Sequence, residues 1–148
     1  MQLEKYDVRT TENRNRFEFV SVGRSGAVLK VVEFIPLYED GRIYNLGFGD
    51  INPVTGDWDN KAVTNNGDRN KILATVAALV VAFLDGHPTV TVYAEGSTPS
   101  RNRLYQRTIA GFWEEITESY AVKGYTESGD WVAFERGGPF TAFLIRHK

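Results

Sequence analysis

The chain has 148 residues, of which 42% are hydrophobic, and this length and composition are typical of one globular domain with a buried core. It contains no cysteine, which excludes a disulfide framework and a thiolate metal site, and no charged and then apolar leader opens it, so we expect a cytoplasmic location. With 17 Lys and Arg against 19 Asp and Glu, the net charge of −2 argues against broad attraction to nucleic acid.

The first half of the chain has the alternating apolar pattern of antiparallel strands. These strands are predicted over residues 16–23, 27–37 and 42–48. Glycine-containing turns separate them, which predicts a meander. A long polar loop follows from Gly49 to Gly67.

The second half of the chain begins with a helix. Asp68 is a suitable N-cap, and Gly86 and Pro88 are typical stop signals, so a helix is predicted from Asp68 to Asp85. Its apolar run from Ile72 to Leu84 is too short to span a bilayer and predicts a helix that is buried nearly all round.

The remaining elements are a strand, a second helix and three further strands. They are predicted over residues 89–94, 99–119, 120–125, 131–135 and 140–146. The order β-β-β-α-β-α-β-β-β predicts an α+β fold, in which one mixed, largely antiparallel sheet carries two parallel helices. We expect a single domain over residues 1–148, because no linker or repeat interrupts the chain.

The two predicted helices are expected to start at the same edge of the sheet, because each runs antiparallel to the strand beside it. Free backbone N–H groups at a helix start bind phosphate or carboxylate readily, so this edge is the candidate ligand site. The turn GSTP, which leads from a strand into an arginine-rich helix, indicates it most clearly. The candidate ligand-binding residues are Gly96, Ser97, Thr98, Arg101, Tyr105, Arg69 and Lys71.

Each candidate also has a purely structural interpretation. Ser97 and Thr98 could only cap the second helix. Arg101 lies near the apolar stripe of that helix and could pair with Glu95 or Asp50. The two cations in the first turn of the first helix lie at the positive end of its dipole, so they either contact carboxylates of a neighbouring loop or hold an anion. Both interpretations stay open.

Two further arginines of the second helix are not assigned to the site. Tyr105, Ile109 and Phe112 belong to one apolar stripe of this helix, with spacings of four and three residues. Arg103 and Arg107 fall on the opposite face, so they are predicted to be solvated.

Patterns for metal binding and hydrolysis are weak in this chain. Residues 50–61 have the acidic residues of a calcium loop, but Val54 stands where an oxygen ligand is needed, so no metal site is predicted. Neither His87 nor His147 is placed to act as a base for Ser97, which argues against a hydrolase triad.

Three segments carry a resemblance to a known family: NLGFGD (residues 45–50), NNGDRNKILATVA (residues 65–77) and GSTPSRNRLYQR (residues 96–107). They resemble a family of uncharacterised bacterial proteins of about this length, and the Gly-Ser-Thr, Arg, Arg-Leu-Tyr core is the most specific part. The resemblance covers most of the chain and implies one intact domain. It implies no activity.

The order of elements is also similar to the C-terminal part of the acetyl-CoA-dependent N-acyltransferase superfamily. NRLYQR (residues 102–107) is similar to the helix that carries a tyrosine near the thioester in that superfamily. This resemblance implies an alternative function, that of a reduced acyltransferase-like enzyme with Tyr105 as general acid.

The function we expect from the residues is binding. A small cytoplasmic domain would hold an anionic or phosphorylated ligand, or a partner protein, at the edge where both helices start. The acyltransferase-like enzyme is one alternative, and a regulatory or toxin-antitoxin-type interaction protein is another. The sequence names no cofactor and favours neither a membrane nor nucleic acid as partner.

Overall fold

The computed structural model describes residues 4–11, 15–52, 54–59, 66–96 and 98–148, and within them nine strands form one sheet that carries three helices. In chain order the elements are β1 (Arg9–Thr10), β2 (Arg16–Gly23), β3 (Gly26–Pro36), β4 (Ile43–Ile51), β5 (Trp58–Asp59), α1 (Arg69–Gly86), β6 (Thr91–Ala94), α2 (Pro99–Gly111), α3 (Trp113–Ser119), β7 (Tyr120–Thr126), β8 (Trp131–Ala133) and β9 (Phe140–His147).

The sheet is mixed, and a single parallel pair sets its topology. The strands follow the order β1-β2-β3-β4-β6-β9-β7-β8, and β5 pairs with β4 beside that path. β4 and β6 are parallel, with Tyr44 opposite Val92, whereas every other pairing between the described strands is antiparallel. A parallel pair requires a crossover connection, which α1 supplies. The predicted α+β fold with a largely antiparallel sheet is therefore confirmed.

The hydrophobic core lies between the helices and one face of the sheet. The strand registers place Phe34, Leu46 and Val92 on this face, and all three are buried. The ring of Phe83 in α1 stacks on Phe34, with ring centroids 4.1 Å apart and planes 7° apart. Aromatic pairs of this kind add to the stabilisation that burial of apolar area provides.

α1 is buried on all sides through its middle, as its long apolar run predicts. The four consecutive residues Ala74, Thr75, Val76 and Ala77 are all buried, and four residues make slightly more than one helical turn. The exposed positions lie mainly near its two ends. None of the described helices is long and apolar enough to cross a membrane.

The second predicted helix is in fact two helices, which meet at Phe112. This residue leaves the helical conformation, with φ −111° and ψ 24°, and it ends α2 and begins α3. Its side chain is buried against Ala74 and Ala77 of α1. The apolar periodicity continues through the break, and the local sequence signal for it is Gly111, the last residue of α2.

We expect the substitution Leu84→Ala to lower the free energy of unfolding by about 2–5 kcal/mol, the usual cost of truncating a buried leucine. Leu84 has no exposed surface and packs in the main core cluster. Urea denaturation followed by circular dichroism measures the loss. Val54→Ala is the control, because Val54 is 90% exposed and should change stability by less than about 0.5 kcal/mol. If Leu84→Ala lowers the free energy of unfolding no more than Val54→Ala does, α1 is peripheral to the core.

Candidate anion-binding cleft

A cleft of about 360 Å³ lies between the N-terminal halves of α1 and α2. We call it the arginine cleft, because Arg69 of α1 and Arg101, Arg103 and Arg107 of α2 line it. Lys30 of β3 and Phe48 of β4 contribute to its wall from the sheet. The starts of both helices therefore lie at one edge of the sheet, as expected for two parallel helices.

Arg101 is the most deeply buried arginine of the cleft, with 3% of its surface exposed. Its Nη1 donates a hydrogen bond to the Phe48 carbonyl at 2.6 Å, and its guanidinium lies over the Phe48 ring, 4.5 Å from the centroid. These contacts join the first turn of α2 to β4. The prediction that the Arg101 side chain points toward the sheet is confirmed.

The two carboxylates considered as partners of Arg101 have other contacts. Glu95 accepts a hydrogen bond from the Tyr93 hydroxyl at 2.6 Å. Asp50 accepts one from Lys30 Nζ at 2.5 Å, and both side chains of this ion pair are buried. Lys30 was not predicted as a site residue, although its position among the inward-facing residues of β3 could have indicated it.

Tyr105 lies one turn beyond Arg101 and also lines the cleft, with 7% of its surface exposed. Burial raises the pKa of its phenol above the ordinary value, and the neighbouring Arg101 charge opposes this only in part. The hydroxyl is therefore protonated at neutral pH and can donate a hydrogen bond. It cannot act as a base there.

The loop that enters α1 is fixed to the hairpin between β2 and β3. The Asn66 side chain donates to the Gly26 carbonyl at 2.9 Å and accepts from the Ser25 amide at 2.5 Å. Asp68 is the N-cap residue of α1, as predicted, but its side chain does not cap the helix, because its Oδ2 accepts hydrogen bonds from Ser21 Oγ and from the Tyr6 hydroxyl. These bonds hold the start of α1 against the sheet.

The two cations at the start of α1, Arg69 and Lys71, line a second pocket together with Arg24 and Glu4, but only Arg69 also lines the arginine cleft. Lys71 forms an ion pair with Glu4 at 3.0 Å and lies over the Tyr6 ring, and the hydrogen bond to Glu4 raises the pKa of the lysine. Lys71 is therefore held by the N-terminal segment and does not line the arginine cleft. Arg69 does line it, and no described carboxylate lies within 4 Å of its guanidinium.

The glycine-serine-threonine turn, residues 96–98, positions α2. None of its described residues lines the arginine cleft. Thr98 Oγ1 accepts a hydrogen bond from the Arg101 amide at 3.1 Å and so caps the helix. Gly96 lies so close to the backbone of Asn102 that a Cβ atom would not fit. Ser97 lies outside the described residues.

Arg103 and Arg107 are solvent-exposed, as predicted, and they also line the cleft, which the apolar stripe of α2 did not indicate. Both are exposed, and in the described part of the chain no carboxylate lies within 4 Å of either. They share a second helical stripe, at the spacing that places residues on one face. The members of this stripe are Ser100, Arg103, Leu104, Arg107 and Thr108. That spacing could have assigned both arginines to the site.

Positive charge is concentrated in this cleft, although the chain as a whole carries a net charge of −2. Five cationic side chains line it, together with one described carboxylate, that of Asp68. The starts of two helix dipoles add partial positive charge at the same edge. The arrangement defines a small α+β protein with a cationic cleft that is suited to an anion.

Comparison with known families assigns the chain to one of them. The profile of a family of unknown function, DUF6934, matches residues 2–148, so the chain belongs to this family. The predicted resemblance to a family of uncharacterised proteins is thereby confirmed. Comparison with the curated proteins and with the solved structures gave no significant match.

We expect Asp50→Asn to lower the free energy of unfolding by about 3–5 kcal/mol, because it leaves the buried Lys30 charge without its carboxylate. Urea denaturation measures the effect, and Asp57→Asn, at an exposed position, is the control. The double variant Lys30→Met/Asp50→Leu removes both charges and should recover most of the lost stability. If Asp50→Asn and the control unfold alike, the ion pair does not hold Lys30 in the cleft wall.

Proposed function

We propose that this protein binds a small anionic ligand, one that carries a phosphate or carboxylate group, in the arginine cleft. The observation that carries the proposal is the convergence of Arg69, Arg103 and Arg107 from two helices, with no described carboxylate within 4 Å of any of them. Cations held close together repel one another, and a bound anion relieves this repulsion.

The chemistry of the lining favours phosphate or carboxylate over other anions. The guanidinium group is planar and presents paired N–H donors, which match two oxygens of such a ligand. Tyr105 adds a neutral hydroxyl donor at the inner side of the cleft. A volume of about 360 Å³ is at the lower end of the range for small-molecule sites. Together with the net charge of −2, this size favours a small ligand over a long polyanion.

Inorganic phosphate is the probe that tests the proposal. We expect it to raise the melting temperature of the wild-type protein, since a ligand at a hundredfold its dissociation constant stabilises by about 2.7 kcal/mol. The double variant Arg103→Gln/Arg107→Gln should lose most of this shift. Arg136→Gln, which changes an exposed arginine between β8 and β9, should retain it.

Sodium chloride at the same ionic strength separates specific binding from screening. An equal shift with chloride and with phosphate in the wild type would refute the proposal. If the double variant and Arg136→Gln lose the phosphate-induced shift in melting temperature equally, any bound anion lies outside the arginine cleft.

Arg101 and Arg107 are expected to differ in what they contribute. Arg101→Ala removes a buried charged donor from the Phe48 carbonyl, so it should lower the free energy of unfolding by about 1.5–3 kcal/mol even without ligand. Arg107→Ala should stay within about 0.5 kcal/mol of the wild type and weaken phosphate binding. Urea denaturation and calorimetric titration measure the two effects. Identical behaviour in both assays would contradict this division of roles.

A further inference from the structure

An apolar cavity, partly open to the surface, lies beside the arginine cleft. Residues of α1, α2, α3 and the sheet line it, and its volume is about 50 Å³. Ala77, Val80, Ile109 and Val122 are among the residues of its wall, which is almost entirely apolar. An apolar wall of this kind favours contact with apolar groups over contact with water.

The cavity and the cleft share part of their walls. Val76, Tyr105 and Thr108 line both spaces. The Tyr105 hydroxyl lies next to the Arg101 guanidinium on the cleft side, where the two interact. The Thr108 hydroxyl donates to the Leu104 carbonyl at 2.8 Å, so this polar group is satisfied within the helix. Only a few side chains therefore separate the charged lining of the cleft from the apolar lining of the cavity.

We propose that the ligand is amphipathic, with a phosphate or carboxylate head in the arginine cleft and a short alkyl or acyl chain that enters the apolar cavity. This inference rests on the proposed anion site and adds the class of ligand. A volume of about 50 Å³ is roughly four times the minimum that holds one water-sized atom. The cavity therefore accepts a chain of about three or four carbons.

The expected energetic signature is a dependence of affinity on chain length. Each methylene group that moves from water into an apolar site tightens binding about fourfold. A ligand with three such groups should therefore bind tens of times more tightly than its methyl analogue. Beyond about four carbons the gain should stop, because the cavity is full.

The experiment compares inorganic phosphate, methyl phosphate, n-butyl phosphate and n-octyl phosphate by calorimetric titration of the wild-type protein. We expect n-butyl phosphate to bind at least tenfold more tightly than methyl phosphate, and n-octyl phosphate to gain little more. A parallel series of n-alkyl carboxylates identifies the preferred head group. A chain-length gain in either series supports the inference.

Variants that fill the cavity locate the chain. Val80→Phe should bind inorganic phosphate as the wild type does and lose the gain from methyl to n-butyl phosphate. Circular dichroism shows whether Val80→Phe folds. If it does not, Ala77→Leu fills the same space and replaces it in the titrations. Val54→Phe is the matched control, because Val54 is 90% exposed.

The outcomes distinguish the two proposals. If phosphate binds and affinity does not change with chain length, the amphipathic ligand is refuted and the anion site stands. If neither phosphate nor any alkyl phosphate or carboxylate binds, the anion site itself is refuted. A chain-length gain that persists in the filled variants would place the chain outside this cavity and would also overturn the inference.

Discussion

The parallel pairing of β4 with β6 determines where the candidate site lies. Parallel strands end at the same edge of a sheet. β6 leads directly into α2, whereas β4 is followed by the short strand β5 and then by α1, and both helices start at this edge. The arginines of α1 and α2 therefore meet in one cleft, although more than thirty residues separate Arg69 from Arg101 along the chain. With an antiparallel pair at this position, the two helix starts would lie at opposite edges.

The cleft wall contains charge that a hydrophobic core would ordinarily exclude. Lys30 and Arg101 are each 3% exposed, and their charges are compensated by Asp50 and by the Phe48 carbonyl and ring, respectively. Apolar residues of similar size would avoid the cost of removing these charges from water. The buried cations therefore add little to stability that packing alone could not supply, and Asp50 neutralises the charge of Lys30. The physical reason for proposing an anion is the positive charge of Arg69, Arg103 and Arg107, which line the cleft with no described carboxylate within 4 Å of any of them.

The sequence predicted the fold better than it predicted the site. β2 was predicted to the residue, and α1 within one residue at each end, because alternation and helical stop signals are local. The break at Phe112 was missed, because the apolar periodicity continues through it and Gly111 alone marks it in the sequence. Lys71 was assigned to the site because its carboxylate partner, Glu4, is distant in the sequence. Arg103 and Arg107 are exposed, as predicted, but the apolar stripe of α2 does not indicate that they line the cleft, because this depends on the position of α1 beside them.

α2 has two stripes of residues with different surroundings, and the proposed ligand has one part for each of them. Arg101, Tyr105 and Ile109 form the buried stripe, and the stripe with Arg103 and Arg107 faces the cleft. Neither α1 nor α2 has an acidic residue in its first turn, so the helix dipoles and the arginines add positive charge at this edge, where Asp68 is the one described carboxylate of the cleft lining. An anion between the two helix starts would compensate this charge. Binding should therefore stabilise the first turns of both helices, while the apolar wall beyond Tyr105 distinguishes a short acyl or alkyl anion from phosphate itself.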